Sequence, residues 1–188
     1  MGTPLLDVDA AAQRLRAGAV VAYPTEAVFG LGCDPFDETA VRRLLDIKQR
    51  AVDKGVILIA SALAQLDGLV DWAALTDAQR ANVQATWPGP HTWTVPALPP
   101  VPRWITGTHD SVAVRVSSHP VVAALCGAFG GPLVSTSANL AGFDPARTAD
   151  ALDAALLARI DGVVAGHVGT LANPTPIRDA RTGAVLRA

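Results

Sequence analysis

The stretch VVAYPTEAVFGLGCDP, Val20–Pro35, decides how the rest of the chain is read. It opens as a short apolar strand, Ala19–Tyr23 (AVVAY), which Pro24 ends. It passes through Pro24-Thr25-Glu26 and closes with Gly30 and Gly32 two apart. A strand running into a glycine-bearing turn suggests a phosphate cradle. No Gly-Lys-Ser/Thr follows, as a P-loop requires, and no third glycine stands at dinucleotide-fold spacing. The turn is neither of the two familiar nucleotide loops, so its purpose has to be sought in the segments around it.

Upstream, Asp9–Ala17 reads as a helix, with Asp7 or Asp9 as its cap and Gly18 just past its end. Downstream, Asp37 caps a second helix whose buried stripe is Val41, Leu44, Leu45 and Ile47, and which delivers Lys48. Val56–Ala60 (VILIA) is an apolar run of strand length, as in a central strand covered on both faces. Thr76-Asp77-Ala78-Gln79 is a capping box, opening a helix to about Thr86 that Trp87-Pro88-Gly89-Pro90 stops. His91–Val95 follows as a strand, then a proline-rich loop within the domain. Val112–Val116 (VAVRV) alternates, Ser118–Phe129 is a helix, and Leu133–Ser135 is a strand entering STSANLAG. Thr148 is expected to cap a helix to about Arg159, with short closing strands at Gly162–Ala165 and Ala184–Arg187. Irregular interleaving of strands and helices gives an α/β or α+β class with a mixed sheet.

The chain's 188 residues, half of them apolar, suffice for one domain with a real core and exclude disorder. A net charge of −2 argues against a general nucleic-acid coat, though a local basic groove remains compatible with it. Two cysteines, Cys33 and Cys126, make no disulfide framework and read as isolated buried thiols. The N-terminus lacks the pattern of a signal peptide and no apolar run approaches the ~20 residues of a membrane span, so a cytoplasmic protein is expected. The four histidines have no metal-ligand spacing, and no G-x-S-x-G elbow is present, so no metal residue is assigned.

Three clusters hold groups able to do chemistry. Lys48 and Arg50 stand two apart, with Lys54 close behind. On a helix they would point about 200° apart, whereas an extended segment would put both on one face, suited to polyphosphate or carboxylate. Spacing alone favours the plainer alternative, a solvated basic helix end. Ser135, Ser137 and Asn139 would line one face of an extended strand exit, where open sheets keep ligands; the alternative is a turn that satisfies its own backbone. Arg115 shares a face with Ala113 and is either an anion anchor in a cleft or a surface arginine.

Taken together, YPTEAVFGLGCDP, KQRAVDKGVILIAS, WPGPHTW, SVAVRVSSHP, PLVSTSANLAG and NPTPIRDARTGAVLR occur in that order from about Val20 to Arg187. The chain resembles the YrdC/TsaC family, the threonylcarbamoyl-AMP synthases, in the short single-domain bacterial form. The resemblance implies a single YrdC-like domain over residues 1–188, without the second C-terminal domain of longer relatives, built as a twisted open mixed sheet with flanking helices and a large concave cavity. It implies formation of L-threonylcarbamoyladenylate and pyrophosphate from L-threonine, bicarbonate or CO₂ and ATP, with Mg²⁺. That product serves the threonylcarbamoyl modification of the adenosine 3′ of the anticodon in tRNAs. The partners implied are the downstream threonylcarbamoyl-transfer proteins, with weak direct contact to tRNA, and no membrane.

The family's K-x-R and S-x-N signatures fall on Lys48 and Arg50, and on Ser137 and Asn139, the implied catalytic set. By resemblance Arg50, Lys54, Ser111, Ser137 and Arg187 serve ATP, and Thr25, Arg115, Ser135 and Thr175 serve L-threonine. The turn Thr25–Gly32 is then expected to wall a combined pocket, with its glycines permitting a tight backbone. Three positions depart from the pattern: Ala51 replaces a proline, Ala27 a threonine, and Pro174-Thr175-Pro176 a serine-threonine pair. Two other readings stay open, a non-catalytic RNA-binding module and a nucleotide-binding regulator.

Overall fold

The computed structural model describes residues 2–99 and 101–187. A two-residue strand, β1 (Leu5–Leu6), leads into α1 (Val8–Arg16). Of the two candidate caps it is Asp7 that accepts a hydrogen bond from Ala10 N, at 2.8 Å, and the helix buries Ala11, Ala12 and Leu15. Then come β2 (Val21–Pro24) and β3 (Phe29–Gly32), which pair antiparallel with Tyr23 opposite Gly30.

The glycine-bearing stretch is therefore a β-hairpin, not a long turn, and only Thr25–Val28 reverses the chain: Thr25 N and Oγ1 both donate to Val28 O, at 3.1 and 2.7 Å. Glycine is a poor strand former, which is why β3 is missing from the sequence reading. Gly32 answers a packing need, since a Cβ there would lie 2.5 Å from Val134 O and 2.6 Å from Cε1 of the buried Tyr23.

Helix α2 (Glu38–Ile47), capped by Asp37, buries the expected stripe. A 3-10 turn, Val52–Lys54, precedes β4 (Ile57–Ala60). Helix α3 (Asp77–Gln84) has its capping box in place, with Gln79 N donating to Thr76 Oγ1 and Thr76 N to Gln79 Oε1. There follow β5 (Thr92–Pro96), α4 (Arg103–Thr106), β6 (Ser111–Val116), α5 (Pro120–Phe129) and β7 (Leu133–Ser137). The helix expected from Thr148 to Arg159 is replaced by a 3-10 turn, Ala149–Ala151, and a single helical turn, α6 (Ala154–Leu157). Thr148 makes no capping bond, whereas Asp153 in extended conformation caps Ala155 N and Leu156 N, which breaks the run in its middle. The chain closes with β8 (Gly162–Val164), β9 (Ile177–Asp179) and β10 (Val185–Arg187).

The strands form one open, mixed sheet in the order β1-β8-β2-β3-β7-β4-β6-β5-β9-β10. Strand β4 is central and alternates between two cores: Leu58 and Ala60 pack with α2, while Ile59 packs with α1 and α5. Both faces are covered, as the continuous apolar run predicts. The cover on the second face is incomplete. Ile59 and Leu133 lie in the core with α1 and α5, but Ile57, one step along the same face, and its register partners Ala113 and Ser135 line open space. The site is built on that uncovered end of the sheet.

Candidate active site

Two adjoining cavities occupy this end. The larger, about 540 Å³, is walled by Arg50, Lys54, Ile105 and Thr106 on one side and by Asp179, Leu186 and Arg187 on the other, with Ser111, Ala113 and Thr94 behind. The smaller, about 320 Å³, lies under the hairpin turn and is lined by Thr25, Ala27, Val28, Gly30, Arg115, Ser137, Pro145, Pro174 and Thr175. Ile57, Ser135, Thr136 and Arg187 line both, so the two cavities share a wall.

The expected ATP residues Arg50, Lys54, Ser111 and Arg187 meet in the larger cavity, and the expected threonine residues Thr25, Arg115, Ser135 and Thr175 meet in the smaller. Ser137, assigned to ATP by resemblance, faces the smaller cavity instead. Sequence reasoning missed Thr94 and Asp179, which stand in register beside Ala113 on β5 and β9, Thr136, which borders both cavities between Ser135 and Ser137, and Glu26, described below.

Lys48 and Arg50 converge neither by a helical nor by an extended path. Helix α2 ends in a Schellman turn: Gln49 N donates to Asp46 O and Arg50 N to Leu45 O, with Gln49 in the left-handed region at φ 48°. Lys48 Nζ donates to Ser137 O and Asn139 Oδ1, each at 2.8 Å, and to Asn139 O. Asn139 Oδ1 also accepts from Ser137 Oγ at 2.6 Å. Lys48 and Asn139 thus lock the exit of β7 and line neither cavity. The expected row of three polar groups stops at Ser137, because Asn139 N turns back onto Ser137 O at 3.0 Å.

Arg115 is no surface arginine; its exposure is 6%. Nη1 donates to Thr175 Oγ1 at 2.5 Å, and Nη2 lies 3.7 Å from Glu26 Oε2. Around the shared wall the cations act on one another. Burial and then the Arg50 charge lower the Lys48 pKa to about 8. Burial and then Arg187 lower that of Arg50, and burial and then Arg115 lower that of Arg187. Among the described residues Lys48, Arg50, Lys54 and Arg187 take part in no ion pair. Arg50, Lys54 and Arg187 line the larger cavity together, and like charges gathered there without counter-ions suit a polyanion.

Both thiols are buried and free; burial pushes Cys126 up to about 12, and Cys33 is raised in the same way. Neither is an activated nucleophile. Among the described residues no three His, Cys, Asp or Glu side chains are grouped to hold a metal ion, and no helix is long and apolar enough to cross a membrane.

The model of the Sua5/YciO/YrdC family, described as telomere recombination, matches residues 13–188. The chain belongs to the Sua5/YciO/YrdC family. Among family members, a threonylcarbamoyl-AMP synthase of Xanthomonas campestris is 65% identical over 181 residues, 96% of this chain and 97% of the relative. One from Xanthomonas euvesicatoria is 62% identical over 185 residues, 98% and 99% of the two chains. In three dimensions the chain is similar to P. abyssi Sua5 complexed with L-threonine, with a TM-score of 0.84 and 31% identity, covering 92% of this chain and 50% of Sua5. It is similar also to E. coli YciO, with a TM-score of 0.83 and 26% identity over 96% and 87% of the two chains. The expected twisted open mixed sheet with flanking helices is that of these Sua5/YciO/YrdC structures.

Proposed function

We propose that the chain, acting as one domain, is an L-threonylcarbamoyladenylate synthase, a nucleotidyltransferase. It combines L-threonine, bicarbonate or CO₂ and ATP, and releases threonylcarbamoyl-AMP and pyrophosphate. The product then passes to the proteins that modify the adenosine 3′ of the anticodon. The observation that carries this reading is the pair of cavities with a shared wall, one small and holding a buried arginine, the other larger and cationic. Two ligands held in cavities that adjoin in this way are placed to react as though joined.

Arg115 binds the threonine carboxylate, beside Thr25, Ser135 and Thr175. Among the described residues no carboxylate lines the smaller cavity, so no ion pair there favours the amino acid's ammonium form. The amine meets CO₂ neutral, loses a proton and becomes a carbamate anion; starting from bicarbonate, one hydroxide is also lost. A carbamate oxygen attacks the α-phosphorus of ATP, that P–O bond forms, and the bond from the α-phosphorus to the β-phosphate oxygen breaks. Arg50, Lys54 and Arg187 offset the charge that develops and leaves with pyrophosphate, while Lys48 and Asn139 hold the β7 exit in shape. Catalysis rests on positioning and electrostatics.

The carboxylates facing the larger cavity serve local bonds: both oxygens of Asp110 accept from Arg181, and Asp179 Oδ1 accepts from Arg181 N and Thr182 N. Two such side chains do not make a magnesium cage among the described residues, so Mg²⁺ would come with the nucleotide and would supply charge neutralisation there. The test is pyrophosphate release from ATP by the purified protein. It should require both L-threonine and bicarbonate; release with ATP alone, or indifference to threonine, overturns the reading.

A further inference from the structure

Beside Arg115 lies a carboxylate that lines neither cavity. Glu26 is 7% exposed. Its Oε1 accepts from Ser117 Oγ at 2.5 Å, and Ser117 Oγ accepts in turn from His119 N at 3.1 Å. The Glu26 backbone is pinned as well, with Leu171 N donating to Glu26 O and Gly169 N to Thr25 O. Its Oε2 is sealed from solvent with no hydrogen-bond partner, and so is Nε of Arg115. Buried polar atoms are rarely left unpaired, and an unmatched acceptor beside an unmatched donor needs an explanation. At 3.7 Å, the Arg115–Glu26 contact is longer than the roughly 2.7–2.9 Å of a charge-assisted bond.

We propose that Glu26, fixed by Ser117, is the positioning residue that holds the Arg115 guanidinium toward the amino-acid cavity. Resting on the function proposed above, this adds a second layer to the same site. Thr175 takes one nitrogen of the guanidinium and Glu26 stands beside another. Between them they fix the plane of Arg115 and leave its remaining donors to the ligand. A buried arginine without its counter-ion would be destabilised and free to turn away.

The test compares wild type with Glu26→Gln, Glu26→Asp and Ser117→Ala, by calorimetric titration with L-threonine and with a non-hydrolysable ATP analogue. Glu26→Gln should weaken threonine binding about tenfold, and Ser117→Ala less, since the first removes the charge beside Arg115 and the second only a bond that fixes it. Binding of the ATP analogue should be unchanged in both, and Glu26→Asp, which keeps the charge, should recover part of the loss. The Arg115 Nε–Hε signal in nitrogen-15 NMR, assigned with Arg115→Lys, reports the positioning without any ligand. It should be sharp in wild type and broadened in Glu26→Gln. Threonine binding that is unchanged or tighter in folded Glu26→Gln, or equal losses for threonine and nucleotide, overturns the inference, as does an unaltered Nε–Hε signal. If Glu26→Gln does not fold, Ser117→Ala decides by the same measures. Wild type that binds no threonine overturns the proposed function instead, and the NMR signal still decides whether Glu26 positions Arg115.

Discussion

At Lys48 the geometry and the charge pull in different directions. Three oxygens surround the ammonium, yet burial and the Arg50 charge bring its pKa from 10.5 down to about 8. A lysine whose pKa is lower folded than unfolded contributes stability that is present above the unfolded value and is lost as the pH falls through the folded value. Across pH 8 to 10.5 the unfolded chain binds more protons at this site than the folded one. The stability of wild type relative to Lys48→Met should therefore increase with pH through that window. Urea denaturation at several pH values measures it, and a constant difference between the two proteins would refute the assignment. None of this was legible at Lys48 in the sequence. Two cations two residues apart read as readily as a basic helix end, because the oxygens that surround Lys48 come from residues 137 and 139. Arg115 was ambiguous for the same reason. Alternation fixed which face of β6 it shares with Ala113, but not whether that face was covered.

At the scale of elements, what the sequence disclosed follows from local physics. Caps at Asp37 and Thr76, the stripe of α2 and the two-sided burial of β4 all follow from short-range pattern. The elements it hid are those that tertiary contacts impose. Strand β3 carries glycine at 32 because Tyr23 and Val134 O lie against it, and β9 has only three residues and gains its place by pairing with β5 and β10. The end of α2 is a similar case. Its Schellman turn needs a residue in the left-handed region, and the sequence supplies Gln49 where glycine is usual. Holding a side chain there costs about 1–2 kcal/mol, which glycine would not incur, less what its more flexible unfolded chain takes back. Gln49→Gly should raise stability by about 0.5–1 kcal/mol and leave pyrophosphate release unchanged, since it relaxes the turn without moving Lys48 or Arg50. A loss of stability on denaturation would show that the Gln49 side chain supports the turn in a way its backbone angle does not reveal.

For the molecule as a whole, the site depends on closing a long stretch of chain. The hairpin turn near residue 25, the end of α2 near 50, the middle of β6 and the far edge strand β10 each bring one part. No single motif therefore describes the site, and only the ordered set of blocks identified it. The last part to arrive is Arg187, on an edge strand whose side chains are all exposed and which pairs only with β9. Strand β10 adds little to the core but contributes to both cavities, and its arginine interacts with Arg50 on one side and Arg115 on the other. Ending the chain at Ala184 should thus separate stability from function. The unfolding midpoint should fall by no more than about 4 °C, as expected when roughly 1 kcal/mol is lost from a chain of this size. Affinity for the ATP analogue and for L-threonine should each drop by about tenfold or more, the loss of one charge-assisted contact on either side of the shared wall. Arg187→Ala alone should reproduce most of both losses. Full affinity for either ligand in the shortened chain would mean that Arg187 only borders that cavity, and that Arg50 and Arg115 neutralise their ligands unaided.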